Sequence, residues 1–224
     1  AIAKAHPDRL DTLLHLPVEH PVLAHALAAE AIAGGHARFA MSAGSEGVML
    51  SDAAFAPLWQ ALDAADGFLF LHPGEGCDGR LDPFYLHNLL GNPNETALAT
   101  AHLVFGGILE RHPRLTVCLA HGGGTTAALV GRWERGYATA RPGLDTSLES
   151  PRRTLRRLCV DCIAHDAAGL ALAAEVFGPE RILFGSDWPF HMGLPKPHAQ
   201  LAALNADFLR QVLETNAPRI LGES

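Results

Sequence analysis

The segment RILFGSDWPF, residues 181–190, decides the fold because an apolar run ends there in a carboxylate. The apolar residues 182–184 predict a strand that is buried on both faces. Gly185 lets the backbone turn, and Asp187 follows where the strand opens into a loop. A carboxylate at the end of a buried strand needs a cation or hydrogen-bond donors. Taken alone, Asp187 could equally cap a turn or the next helix.

Two further segments follow the same design, and each ends in a histidine. They are FLFLHPG, residues 68–74, which carries His72, and LTVCLAHGGG, residues 115–124, which carries His121. A single histidine at such a point is more often a turn or core residue than a functional one. In a parallel α/β sheet, however, the carboxyl ends of all strands face the same crevice. We therefore expect His72, His121 and Asp187 to converge on one site.

Composition limits the functions that are open to this chain. The 224 residues are 48% hydrophobic and 18% charged, which suits one globular α/β domain over residues 1–224. The formal net charge of −7 argues against a nucleic-acid partner. No apolar run approaches the ~20 residues that cross a bilayer, so we expect no membrane partner. The four cysteines include one C-x-x-C pair without a second, which predicts buried thiols, a reducing compartment and a cytoplasmic location.

The apolar segments predict six strands, near residues 12, 40, 70, 118, 160 and 184, with helices between them. This alternation is typical of a parallel βα architecture. A closed (β/α)₈ TIM barrel needs eight strands. Because the count is two short and the chain starts at Ala1 rather than Met, we expect the first one or two βα units to be missing from it.

Four motifs occur in an order that resembles a known family. They are His72-Pro73, LGNPNET at residues 90–96, AHGGG at residues 120–124 followed by Arg132, and GSDWPF at residues 185–190. Together they resemble the aminocarboxymuconate-semialdehyde decarboxylase-like branch of the amidohydrolase superfamily, from about residue 10 to the carboxyl terminus. The resemblance implies a distorted (β/α)₈ TIM barrel of the metal-dependent hydrolase type that binds one divalent metal ion, usually zinc.

The resemblance also implies a role for each candidate residue. His72 and Asp187 would be metal ligands, and His121 would be an unliganded catalytic acid/base. Asp187 would also be catalytic, because it would hydrogen-bond the reacting water. Arg132 would hold the carboxylate of a small-molecule substrate, in some members across the interface of a homodimer.

The sequence departs from the family at one point. The first strand of the family ends in a His-x-His pair that supplies two more metal ligands, and residues 1–224 contain no such pair. Two protein ligands alone would hold zinc poorly. Either the pair lies outside this chain, which is the expectation that the strand count favours, or the full metal site cannot form.

Three functions remain open on the sequence. The first is metal-dependent non-oxidative decarboxylation of a small unsaturated or aromatic carboxylic acid, which Arg132 favours. The second is metal-dependent hydrolysis of a lactone or related cyclic carboxylate. The third is a non-catalytic barrel that has lost its metal. Nucleotide binding at the glycines of residues 122–124 is discounted, because neither the P-loop nor the dinucleotide-binding pattern is present.

Overall fold

The computed structural model describes residues 2–74, 79–202 and 205–222. Part of the long polar loop that the sequence places at residues 74–83 therefore lies outside the described residues. Within the described ranges, no helix combines the length and apolar character needed to cross a membrane.

The centre of the fold is a parallel sheet of six strands in the order in which they occur along the chain. This confirms the α/β fold class and the six strands predicted from the sequence. The strands are β1 (Leu14–Leu16), β2 (Arg38–Ser42), β3 (Phe68–His72), β4 (Thr116–Leu119), β5 (Cys159–Asp161) and β6 (Ile182–Leu183). Each strand therefore delivers its carboxyl end to the same edge of the sheet.

Helices connect successive strands, as parallel pairing requires. The α-helices are α1 (Ile2–Ala5), α2 (Pro21–Ala33), α3 (Ala56–Ala64), α4 (Asn92–Phe105), α5 (Ile108–Arg111), α6 (Thr126–Ala138), α7 (Pro151–Leu155), α8 (Ala167–Phe177), α9 (Pro197–Ala202), α10 (Ala206–Arg210) and α11 (Asn216–Leu221). Short 3₁₀ turns occur at Ala53–Phe55, Gly79–Leu81, Pro83–Tyr85, His121–Gly123 and Pro179–Arg181, and π-helical turns at His87–Gly91 and Gln211–Thr215.

The two faces of the sheet are buried to different degrees because side chains alternate along each strand. In β3, Leu69 and Leu71 are fully buried in the large core that the strands share with the helices. Phe68 and Phe70 point to the other face and are only partly buried, beside a smaller cluster that contains Cys118. The helices therefore cover one face of the sheet, and the opposite face is more open.

One helix start differs from the sequence pattern. The Asn92-Pro93-Asn94-Glu95 segment predicts Asn92 as the N-cap of a helix, with Pro93 in its first turn. In the structure the π-helical turn His87–Gly91 runs directly into α4, and Asn92 is already helical. Asn92 therefore lies inside a continuous helical segment and is not its cap.

A buried carboxylate joins the ends of β4 and β5. Asp161 is 4% exposed, and its Oδ2 accepts the His121 amide at 3.0 Å. Its Oδ1 accepts the amides of Gly122 at 2.9 Å and Ile163 at 3.0 Å. Burial raises the pKa of the Asp161 carboxyl, and the three amide hydrogen bonds oppose that rise because they stabilise the charged form. Asp161 thus fixes the backbone that carries His121.

We expect Asp161→Ala to lower the free energy of unfolding by about 2–4 kcal/mol, because it leaves three buried amides without an acceptor. Urea denaturation followed by circular dichroism measures the change. Asp52→Ala is the matched control, since Asp52 accepts a single amide hydrogen bond, from Ala54, at an exposed position. Equal losses in the two variants would contradict the importance given to Asp161.

Candidate metal centre

Three side chains meet at the carboxyl edge of the sheet. His72 is the last residue of β3, His121 follows β4, and Asp187 follows β6. The ligand atoms of these three residues all lie within 4.8 Å of one another, and the two imidazole centroids are 5.0 Å apart. The convergence expected from the three strand ends is therefore present.

Two members of this cluster have an uncommon backbone conformation. The φ angles of His121 and Asp187 are 56° and 55°, in the left-handed region that side chains other than glycine rarely adopt. The turn after His121 is also tightly packed, because a Cβ on Gly124 would lie 2.2 Å from the carbonyl oxygen of Pro93. Backbone strain of this kind is concentrated at functional sites.

The electrostatics of the cluster favour a neutral His121 imidazole. Burial and the neighbouring His72 together lower the pKa of His121 to about 4, although Asp187 opposes the shift. His121 is therefore neutral at neutral pH. The Nδ1 atom of His72 lies 2.9 Å from the carbonyl oxygen of Pro73. Since a carbonyl can only accept, Nδ1 carries the proton and Nε2 keeps its lone pair free for a cation.

These donors suit a divalent metal ion. Two imidazoles and one carboxylate are ligands that zinc and other transition metals accept. Catalytic zinc sites commonly combine three protein ligands with a water molecule. The hydrogen bond from His72 to the Pro73 carbonyl is of the type that orients a metal-binding histidine. The donor atoms of this cluster therefore suit a divalent metal, and His72 and Asp187 are the two members that the family resemblance implies as ligands.

The cluster opens into a cavity of about 750 Å³. The walls come from the segment that precedes α4, the start of α6, one side of α8 and the loop after Asp187, and they include the further histidines His87, His165 and His191. No lysine or arginine occurs among the described residues that line the cavity. Among the described cavity residues, only a protonated imidazole could supply positive charge to an anionic substrate.

Arg132 is not part of this cavity wall. It lies on α6, its side chain is exposed, and no ion pair to it is present in the described part of the chain. The start of α6, in contrast, does line the cavity through Thr125 and Ala128. The structure thus brings together His72, His121 and Asp187 and leaves Arg132 on the outer surface.

Two residues of the site did not emerge from the sequence as functional. Asp161 lies in the strand predicted near residue 160 and His165 follows that strand, but neither stands among the candidates drawn from the sequence. A polar residue at or after the end of an apolar strand, the signal that identifies His72 and Asp187, is present at both positions.

The comparisons with known sequences all point to one family. A family model described as amidohydrolase matches residues 1–222. The chain is 32% identical over 180 residues to the 2-amino-3-carboxymuconate-6-semialdehyde decarboxylase of Dictyostelium discoideum, an alignment that covers 79% of this chain and 48% of that protein. It is 37% identical over 129 residues to the enzyme of the same name from Caenorhabditis elegans, covering 56% of this chain and 32% of that one. The chain thus spans half or less of the length of these relatives.

Solved structures share the fold. The 5-carboxyvanillate decarboxylase of Sphingomonas paucimobilis superposes with a TM-score of 0.85 at 23% identity, covering 100% of this chain and 70% of that one. The 5-carboxyvanillate decarboxylase of Novosphingobium aromaticivorans, solved with manganese and 4-hydroxy-3-methoxy-5-nitrobenzoic acid, gives 0.85 at 19% identity, with coverages of 98% and 66%. These likenesses support the barrel type of fold predicted from the sequence. With the family match over nearly all of its length, the chain belongs to the amidohydrolase family.

Proposed function

We propose that this protein is a metal-dependent non-oxidative decarboxylase of a small aromatic or unsaturated carboxylic acid. One observation carries the proposal: His72, His121 and Asp187 meet within 4.8 Å at the mouth of a cavity large enough for such an acid. The relatives in the same family that are named above are decarboxylases.

We propose that His72 and Asp187 bind the metal, and that the metal is zinc. When bound, a divalent cation supplies an electrophile for substrate oxygens and makes a neighbouring water more acidic. A manganese ion in the Novosphingobium enzyme is a reason to test both metals. Residues 1–224 contain no His-x-His pair, so measured affinity will show whether the donors present are enough.

We assign proton transfer to His121. Replacing a carboxylate by hydrogen requires a proton at the carbon from which carbon dioxide departs. The His121 imidazole is neutral at neutral pH, so it can accept a proton from water and deliver it to that carbon. Asp161 holds the backbone of His121 and so orients the ring toward the cavity. Asp187, beside the ring, stabilises the imidazolium that forms during transfer.

We further propose that Arg132 holds a substrate carboxylate in the cavity of a second copy of the chain. A guanidinium can hold a carboxylate by two parallel hydrogen bonds, which a lysine cannot reproduce. The exposed position of Arg132 on a helix whose first turn lines the cavity is compatible with a site shared in a homodimer.

The domain organisation and the location of the protein remain predictions. We propose that residues 1–224 form one domain of the barrel type. We also keep the prediction of a cytoplasmic location, which the free and buried thiols of Cys118, Cys159 and Cys162 support.

The metal assignment predicts different results for the two histidines. His72→Ala should lose at least a hundredfold in zinc or manganese affinity, because it removes a ligand, whereas His121→Gln should keep its affinity within about threefold. Isothermal titration and elemental analysis of the full chain give the values, with about one metal per chain expected for the unmodified protein. An equal loss in His121→Gln would make His121 a ligand. Absence of metal from the full-length protein would favour the non-catalytic barrel.

The acid/base assignment predicts that His121→Gln lowers kcat by about 10²–10⁴-fold with metal content unchanged. The assay follows carbon dioxide release and ring opening in parallel, over a panel of aromatic and unsaturated carboxylic acids and lactones. Release of carbon dioxide is the expected result. Ring opening without carbon dioxide would reject decarboxylation in favour of the hydrolase.

The shared-site proposal predicts that two inactive variants restore activity when mixed. Arg132→Ala and His121→Gln chains should each be inactive, but a mixed dimer contains one cavity with an intact His121 and a partner arginine. Activity should therefore rise after the two chains are dissociated and reassembled together. The control is Arg132→Ala reassembled with itself. If the reassembled mixture sediments as a dimer but shows no recovery of activity, Arg132 does not act across the interface.

A further inference from the structure

The chain makes two successive tight turns after β5, and His165 lies in the second. The Ala164 amide donates to the carbonyl of Cys162 at 3.0 Å, and the Asp166 amide donates to the carbonyl of Ala164 at 2.8 Å. His165 is the central residue of the second turn and has φ 61°. Three-residue turns with a positive φ at a residue other than glycine are rare and strained.

The surroundings hold His165 in this conformation from both sides. The Asp166 carboxylate caps α8 by accepting the Gly169 amide at 2.6 Å. On the other side, Ala164 lies against the turn after His121, since a Cβ on Gly122 would lie 3.5 Å from the Ala164 side chain. The strained turn is therefore fixed between the His121 turn and a helix.

No hydrogen bond of the His165 imidazole to a described residue accounts for this strain. The imidazole is exposed and lines the cavity, and no described residue forms a hydrogen bond with it. Strained backbone at a residue that lines a cavity is typical of functional sites.

The position of His165 separates it from the metal cluster. His72 is the last residue of β3, and His121 and His165 follow the next two strands, β4 and β5. Only the first two belong to the group of ligand atoms within 4.8 Å, which Asp187 completes. His165 thus lies beside His121, outside the described set of metal donors.

We propose that His165 is a substrate-contacting residue that hydrogen-bonds an oxygen of the acid, a carboxylate or hydroxyl oxygen that the cation does not hold. The inference rests on the proposed function, because it requires an aromatic or unsaturated acid in this cavity. An imidazole suits the task because it can donate to a carboxylate or phenolate and accept from a neutral hydroxyl. The cavity wall offers no lysine or arginine in the described residues for that oxygen.

Protection from chemical modification tests the contact directly. Diethyl pyrocarbonate acylates accessible neutral imidazoles, and mass spectrometry reads the rate at each histidine. The unmodified full chain, equilibrated with zinc, is treated with and without 4-hydroxy-3-methoxy-5-nitrobenzoate, the compound bound to a structural neighbour. We expect His165 to be protected several-fold and the exposed His6, which does not line the cavity, to react at the same rate in both samples.

The other outcomes are distinguishable. Protection of His121 with no protection of His165 would overturn this inference and leave the proposed function intact. No protection of any cavity histidine would contradict the binding of an aromatic acid here, and with it both the proposed function and this inference.

His165→Asn gives an independent measurement. Asparagine tolerates the left-handed backbone but has a shorter side chain that does not reach as far into the cavity. We expect about tenfold weaker binding of the same nitrobenzoate by titration calorimetry, which is the loss typical of one hydrogen bond to a charged oxygen. Metal content and the thermal midpoint should be unchanged. His6→Asn is the control, and unchanged affinity in His165→Asn would overturn the inference.

Discussion

The parallel direction of the strands is the constraint on which the rest of the molecule depends. Because every strand runs the same way, the residues that follow them are delivered to one edge, where apolar strands give way to polar turns. His72, His121, His165 and Asp187 come from separate parts of the chain and share a cavity for this reason alone. A single antiparallel strand in their place would have carried its polar end to the opposite side of the sheet.

Hydrogen bonds from backbone amides to the Asp161 side chain hold this edge of the sheet in place. The Asp161 carboxylate accepts hydrogen bonds from three amides in two adjacent turns. The backbone that carries the His121 ring is therefore held in place. Positive φ angles at His121, His165 and Asp187 show that this order is maintained against local conformational preference. Such preorganisation is what a site needs if it is to position a proton donor and a cation before the substrate arrives.

The sequence was sufficient for the features that depend on local patterns. Apolar runs located all six strands, and three polar residues that end or follow them form the candidate metal centre. The sequence was less informative where tertiary contacts decide the outcome. Asn92 has the local pattern of a helix cap, yet a preceding helical turn overrides it. The role of Asp161 depends on amides from a turn 39 and 40 residues away, which no local pattern encodes. The exposure of the Arg132 side chain likewise depends on how α6 packs, and the spacing of Arg132 after His121 does not reveal it.

The contact between Gly124 and Pro93 has a consequence for altering substrate preference. The Thr125 amide donates to the same Pro93 carbonyl at 3.2 Å, so the cavity wall at the start of α4 and the turn that follows His121 are in direct backbone contact. A bulky substitution that displaces the wall near Pro93 would also shift the His121 imidazole. Mutational libraries that aim to change the accepted acid while preserving turnover are therefore best directed to Leu172 and Met192, which line the same cavity from outside this contact.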